Sequence, residues 1–210
     1  MKIERIITGY LEENCYILTN DDNQALIIDP GDEALKIISN IKNREVIGIL
    51  ITHHHMDHIG ALNDIENKYN IKELNFEEGR HFIEDFSFEV INTPGHTKDS
   101  KSYYFYNDNC MFTGDFLFKG TIGRTDMETG SNADMKSSLN KIKKYDDRII
   151  IYPGHGESST LLYEKENNIY NDNDVSNINY DYHNYTKGQS NRTIRFFLYM
   201  LSKWYSSLLY

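Results

Sequence analysis

The chain has 210 residues, 39% hydrophobic and 26% charged, with a mean hydropathy of −0.62; this fits a globular protein of one substantial domain, and no apolar stretch is long enough to span a bilayer. Asp and Glu number 32 against 22 Lys and Arg, a formal net charge of −10, which leaves no broad cationic face for nucleic acid. The two cysteines, Cys15 and Cys110, stand far apart and outside any Cys-x-x-Cys pattern. They read as buried thiols of a reducing compartment, and with no apolar leader in residues 1–10 the expectation is a cytoplasmic protein.

Residues 3–10 and 14–19 are predicted strands, and Asn20-Asp21-Asp22-Asn23 is a hairpin turn into a third apolar run, 25–29, closed by Pro30-Gly31. The opening reads as an antiparallel meander. Asp32 or a residue beside it is placed to cap a helix to about residue 43, in which Ala34, Ile37, Ile38 and Ile41 recur at helical spacing. Residues 46–51 form a buried strand that ends in Thr52-His53-His54-His55-Met56-Asp57-His58. Alternate side chains of an extended chain face the same way, so His53 and His55 can converge on one ion while His54 points elsewhere. As the chain turns, Asp57 and His58 reach toward a second ion. A helix over 59–69 follows, its N-terminal amides toward the polar cluster.

Residues 71–76 and 86–91 are predicted strands, the second running into Thr93-Pro94-Gly95-His96-Thr97. Short strands at 103–106 and 111–112 flank the turn Asn107-Asp108-Asn109, and the latter ends in Thr113-Gly114-Asp115. Residues 135–145 are helical, with Met135, Leu139 and Ile142 as an apolar stripe, and 148–152 is a strand ending in Pro153-Gly154-His155-Gly156. Four strand ends thus carry candidate ligands, and six of the eight histidines fall in these loops. A solvated His-rich turn explains one such tract but not four. Glycines beside His96, Asp115 and His155 let the backbone turn sharply and bring the side chains together. The donor set of imidazole nitrogens and carboxylate oxygens is one that zinc accepts. His81 and His183 have no such setting and read as surface residues.

Residues 167–190, rich in Asn, Asp and Tyr, read as a flexible linker. Across 193–208, Ile194, Phe197, Leu201, Trp204 and Leu208 recur at helical spacing. The expected organisation is a catalytic domain over 1–170 and an appendage over 171–210, whose helix packs on the domain or pairs two chains into a homo-oligomer. Arg195 and Lys203 are too few for a basic membrane-binding face.

The His-x-His-x-Asp-His run, Pro94-Gly95-His96, Thr113-Gly114-Asp115 and Pro153-Gly154-His155-Gly156 together resemble the metallo-β-lactamase superfamily. Within it the chain is most similar to small bacterial glyoxalase II-like (hydroxyacylglutathione hydrolase-like) proteins. That likeness rests on Asn14-Cys15-Tyr16-Ile17, Ile28-Asp29-Pro30-Gly31, Gly114-Asp115-Phe116-Leu117-Phe118 leading to Ile122-Gly123-Arg124-Thr125-Asp126, and Ser158-Ser159-Thr160 with Glu164-Lys165. The similarity covers about residues 1–170.

The resemblance implies an α/β (α+β) fold, an αββα sandwich with a dinuclear metal site at one edge. His53, His55 and His96 would bind the first metal, Asp57, His58 and His155 the second, and Asp115 both. Zinc is the first expectation, with iron and manganese as alternatives. The implied nucleophile is hydroxide held between the two metals and oriented by Asp57. A thiolate leaving group, with a free thiol titrating near ~8.5, needs little acid assistance, so a small-molecule thioester is the expected substrate. Arg124 and Lys119 are candidate contacts for a substrate carboxylate. The helical region with which longer glyoxalase II enzymes hold glutathione has no counterpart in this chain.

Two kinds of alternative compete. On the same scaffold stand a persulfide dioxygenase using one iron, which needs only part of the ligand set, and a lactonase. A β-lactamase fits less well, since Cys110 is misplaced for a ligand and the Asp57-His58 pair suits other branches. A non-hydrolytic metal-binding module like the flavodiiron proteins is disfavoured by His55, where those carry glutamate.

Overall fold

The computed structural model describes residues 1–168 and 170. The expected linker beyond residue 170, the expected C-terminal helix and His183 lie outside the described residues, and Asn167, the expected start of the linker, is the last residue of a helix. Strands β1 (Lys2–Thr8), β2 (Glu13–Thr19) and β3 (Gln24–Ile28) form the expected antiparallel meander, and after helix α1 (Ala34–Ile41) strand β4 (Glu45–Leu50) joins parallel to β3. Two short helices follow, α2 (Met56–Ile59) and α3 (Leu62–Tyr69).

The second sheet is built from β5 (Gly79–Ile83), β6 (Phe86–Asn92), β7 (Lys101–Phe105), β8 (Cys110–Gly114), β11 (Ile150–Pro153) and β12 (Ser159–Thr160), in the order β12-β11-β8-β7-β6-β5. A small ribbon, β9 (Leu117–Phe118) with β10 (Thr121–Ile122), precedes helix α4 (Asn132–Ile142), and α5 (Leu161–Asn167) follows β12.

Period-two alternation divides the interior into three layers of core. On β2 and β3, Cys15, Ile17, Ala25 and Ile27 face α1 and α3, where Ile37 and Ile65 meet them. Their neighbours Tyr16, Leu18, Leu26 and Ile28 face the second sheet and pack on Phe88, Tyr103, Phe105 and Phe112. Beyond that sheet, Met111 and Ile151 turn outward to Met135, Leu139 and Ile142 of α4 and Leu161 of α5. Helix, sheet, sheet and helix are thus held by three apolar seams, the αββα sandwich expected from the resemblance.

Several local expectations are corrected. The helix expected at 59–69 is broken, because Ala61 N–H donates to Pro30 C=O at 3.0 Å instead of continuing the helical ladder. Asp57 and His58 therefore lie inside the one-turn α2. Residues 71–76 are not a strand: Leu74 N–H donates to Ile49 C=O, but Glu73 N–H and the Lys72 ammonium turn back to the Glu66 carboxylate. The strand in this region is β5, and His81 on it is half-buried, its ring against Phe76 and its Nε2 on Glu77 C=O. The N-cap of α1 falls on Glu33, beside Asp32, without a side-chain cap; the Glu33 carboxylate is drawn instead to Gly9 N–H and Lys36. Among the described residues no helix is long and apolar enough to cross a membrane.

Candidate metal centre

Four strand ends meet at one edge of the sandwich. Chain directions explain this: β6, β8 and β11 run the same way, so the residues after them, His96, Asp115 and His155, share one edge of the second sheet. The end of β4 is joined to that edge by Lys101 N–H donating to Thr52 C=O at 2.8 Å. An antiparallel bridge between Glu13 and His155 ties in the first sheet.

The seven expected ligands come together there. Three overlapping groups each have donor atoms within 4.8 Å of one another: His53, His55 and His96; Asp57, His58 and His155; and His53, His58 and Asp115. His55 Nδ1 lies 3.1 Å from His53 Nε2 and 2.9 Å from His96 Nε2. Asp115 stands between the groups, Oδ1 3.2 Å from His58 Nε2, and Oδ2 3.6 Å from both His96 Nε2 and His155 Nε2. His54 points away, as alternation predicts, and its exposed ring faces Asp99 and Glu73.

The outer nitrogens of four imidazoles are anchored, which orients each ring and turns its other nitrogen inward. His53 Nδ1 pairs with Thr52 Oγ1 at 3.1 Å, His58 Nδ1 with Asp29 Oδ2 at 2.9 Å, His96 Nδ1 with Arg124 C=O at 2.7 Å and His155 Nδ1 with Leu11 C=O at 3.0 Å. Carbonyl and carboxylate oxygens only accept, and the Thr52 hydroxyl spends its own proton on Asp29, so all four rings carry a proton on Nδ1 and turn Nε2 to the cluster. His58 Nε2 and Asp115 Oδ1 are buried without a hydrogen-bond partner. Buried polar atoms are otherwise satisfied as a rule, so inward-facing ring nitrogens and an orphaned carboxylate oxygen fit a cation, and the imidazole and carboxylate donor set suits a divalent metal.

Electrostatics differ across the cluster. Burial, aided by His58, holds His53 well below the usual histidine range. Burial opposes a charge on His58 and His155 too, but Asp115, with Asp29 for the first and Asp57 for the second, raises both. Asp115 is held well below the carboxylate range by His155 and His58 against the opposing effect of its burial. Close approach requires glycine at two positions. A Cβ on Gly154 would overlap Asp115 Oδ1 and His58 Cε1, and Gly114, with φ of +50°, lies against the Thr52 side chain.

Asp29 carries a part that sequence reasoning missed. Its carboxylate accepts from Thr52 N–H at 2.7 Å, Thr52 Oγ1–H at 2.6 Å and His58 Nδ1–H, and so supports ligands of both groups. A carboxylate closing a buried apolar run was the available signal. Of the two substrate candidates, Arg124 makes a two-pronged ion pair with Asp126 at 2.6 and 2.8 Å, while Lys119 is exposed with its ammonium 6.0 Å from the centroid of the Tyr163 ring.

Sandwich and cluster together define a metallohydrolase scaffold, and the chain belongs to the metallo-beta-lactamase superfamily, whose family model matches residues 8–90 and 73–155. It is 32% identical to the probable metallo-hydrolase YqgX of Bacillus subtilis, over 80% of this chain and 96% of that protein. It is 30% identical to the hydroxyacylglutathione hydrolase GloC of Haemophilus influenzae, over 80% and 97%. Among solved structures, the BLEG-1 B3 metallo-beta-lactamase superposes with a TM-score of 0.79 at 31% identity, covering 82% of this chain and all of that one. TTHA1623 in a di-iron-bound form superposes with a TM-score of 0.73 at 26% identity, covering 80% and 99%.

Proposed function

We propose that this chain is a dinuclear metal-dependent hydrolase that cleaves a small thioester of the hydroxyacylglutathione type. The observation that carries the reading is the convergence of six ligand side chains in two groups about the Asp115 carboxylate, whose buried Oδ1 has no hydrogen-bond partner. The likeness to the hydroxyacylglutathione hydrolase GloC supports the substrate class.

In this reading His53, His55 and His96 would hold one divalent ion, Asp57, His58 and His155 a second, and Asp115 would serve both. Bound metal supplies an acidified water, its pKa lowered from ~15.7 to about 7 in favourable zinc sites, and a Lewis acid for the substrate carbonyl. The chain's own groups do the rest. Asp57 remains ionised, since its hydrogen bond with His155 at 3.3 Å overcomes the effect of burial, and it orients the attacking water by accepting a hydrogen bond from it. Neither cysteine competes as nucleophile: burial pushes both thiols up, Cys110 to about 12. A thiolate, from a thiol titrating near ~8.5, leaves without a general acid. Arg124 meets a substrate carboxylate by exchanging it for Asp126, and Lys119 adds positive charge on the same loop. Zinc is the metal proposed, with iron the alternative that TTHA1623 supports.

A second reading, opening of a β-lactam ring, is favoured by the 31% identity to BLEG-1. One experiment separates them: protein of measured metal content is offered S-lactoylglutathione and a chromogenic β-lactam, beside Asp115→Asn. Metal-dependent thioester hydrolysis is expected, lost by more than ~100-fold in Asp115→Asn, because losing a shared ligand exceeds the 10–100-fold typical of groups that only orient ligands. Turnover of the β-lactam alone selects the second reading. Unchanged thioester turnover in a folded Asp115→Asn protein refutes the mechanism.

A further inference from the structure

His155 is an awkwardly placed ligand. It lies between Gly154, where the site has no room for a side chain, and Gly156, whose φ is +78°. Glycines lose the most conformational freedom on folding, so a ligand flanked by two of them needs an external hold to keep its ring aimed. Leu11 C=O holds the ring's Nδ1 at 3.0 Å, and strand β2 holds the backbone on either side.

Asn14, 1% exposed, donates through Nδ2 to Pro153 C=O at 3.0 Å and to Gly156 C=O at 2.9 Å, and its backbone N–H donates to Gly154 C=O at 2.7 Å. Tyr16, 2% exposed, donates its hydroxyl to Pro153 C=O at 2.7 Å. Arg5 of β1 adds a bond to Gly156 C=O at 2.8 Å. The carbonyls of Pro153, Gly154 and Gly156 are thus all held by the first two strands. The loop of His96 is held differently, by Ser138 Oγ–H on Pro94 C=O and Ser131 N–H on Gly95 C=O, from α4 and its N-cap.

We infer that Asn14 and Tyr16 are positioning residues for His155, and that they set the affinity of the second metal independently of the first. The inference rests on the dinuclear reading above. The Asn14 side-chain amide spans the two carbonyls on either side of His155 and keeps its Nε2 directed at Asp57 and Asp115. Without that span the loop samples conformations in which the second group lacks a ligand, while His53, His55 and His96 are untouched.

The test uses the full chain stripped of metal, titrated with Zn2+ against a chromophoric chelator and, in parallel, with Co2+ followed by its ligand-field spectrum. Wild type is expected to take up two ions. In Asn14→Ala the second is expected to bind about 10–100-fold more weakly, the range for groups that orient metal ligands, with the first unchanged and one component of the Co2+ spectrum lost at substoichiometric loading. Tyr16→Phe, which removes a single hydroxyl and decides the matter if Asn14→Ala does not fold, is expected to shift the second ion in the same direction, roughly a few-fold. Unchanged affinity for the second ion, or equal weakening of both, overturns the inference. A wild-type chain that binds one ion overturns it together with the dinuclear reading. Two bound ions without thioester turnover refute only the substrate assignment.

Discussion

The two ligand groups are neighbours in space but opposites in chemistry. His53, His55 and His96 are imidazoles alone, and burial, with His58 beside His53 and His96 beside His55, pushes His53 and His55 below the usual histidine range. The other group faces carboxylates. His58 and His155 are raised in spite of their burial by Asp115, helped by Asp29 and Asp57 respectively. A metal arriving at His53 and His55 meets lone pairs already available, whereas at His58 and His155 it must displace protons. One scaffold edge therefore offers two sites of the same donor class with different proton linkage.

The largest expected effect erases this difference. Asp29 Oδ2 accepts from His58 Nδ1–H and also from Thr52 Oγ1–H, and Thr52 Oγ1 faces His53 Nδ1. Asp29→Asn replaces an acceptor by an N–H donor against one of these donors, and is expected to weaken both metals by about 10–100-fold, measured by the same chelator competition. Weakening of one ion alone would show that Thr52 does not pass the effect to His53.

A pH series sharpens the comparison. In the metal-free chain the raised His58 and His155 add stability that is full below the unfolded value near ~6.5 and is lost as pH rises through their folded pKa; the lowered His53 and His55 oppose folding once pH falls below ~6.5. Metal binding needs deprotonated imidazole, so affinity at the second group is expected to rise roughly tenfold per pH unit for each proton displaced near neutrality. Affinity at the first should be flatter over the same range. Zn2+ titrations at several pH values, with proton release read in weak buffer, check this, and equal slopes would abolish the distinction.

The smallest effect lies outside both groups. Tyr103, 1% exposed, donates its hydroxyl to Ile51 C=O at 2.8 Å, just before Thr52. Tyr103→Phe is expected to destabilise the chain by about 1 kcal/mol in denaturant unfolding, with both metal affinities unchanged. A change in either affinity would mean that the end of β4 is tuned by the core beneath it.

Much of the site was legible because its ligands follow buried strands, and a run such as residues 46–51 announces where it ends. The opposite orientations of His54 and its neighbours followed from the geometry of an extended chain. Boundaries that depended on competing partners were not legible: the break before α3 needs Pro30 to take the Ala61 N–H, and the failed strand at 71–76 needs Glu66 to capture Lys72 and Glu73. Asn14 and Asp29 stood within motifs that carry the resemblance, yet nothing local said what they hold.

By itself the sequence determined which residue types reach the end of which strand, since side-chain alternation and apolar periodicity are properties of adjacent residues. Only the tertiary structure decided which ends meet and what orients each ligand. The bond from Asn14 to Pro153 joins residues 139 apart and that from His58 to Asp29 joins residues 29 apart. The first pairing exists only after the two sheets have packed and the second only after β4 has paired with β3, because a hydrogen bond's direction is set by where the fold places its two ends.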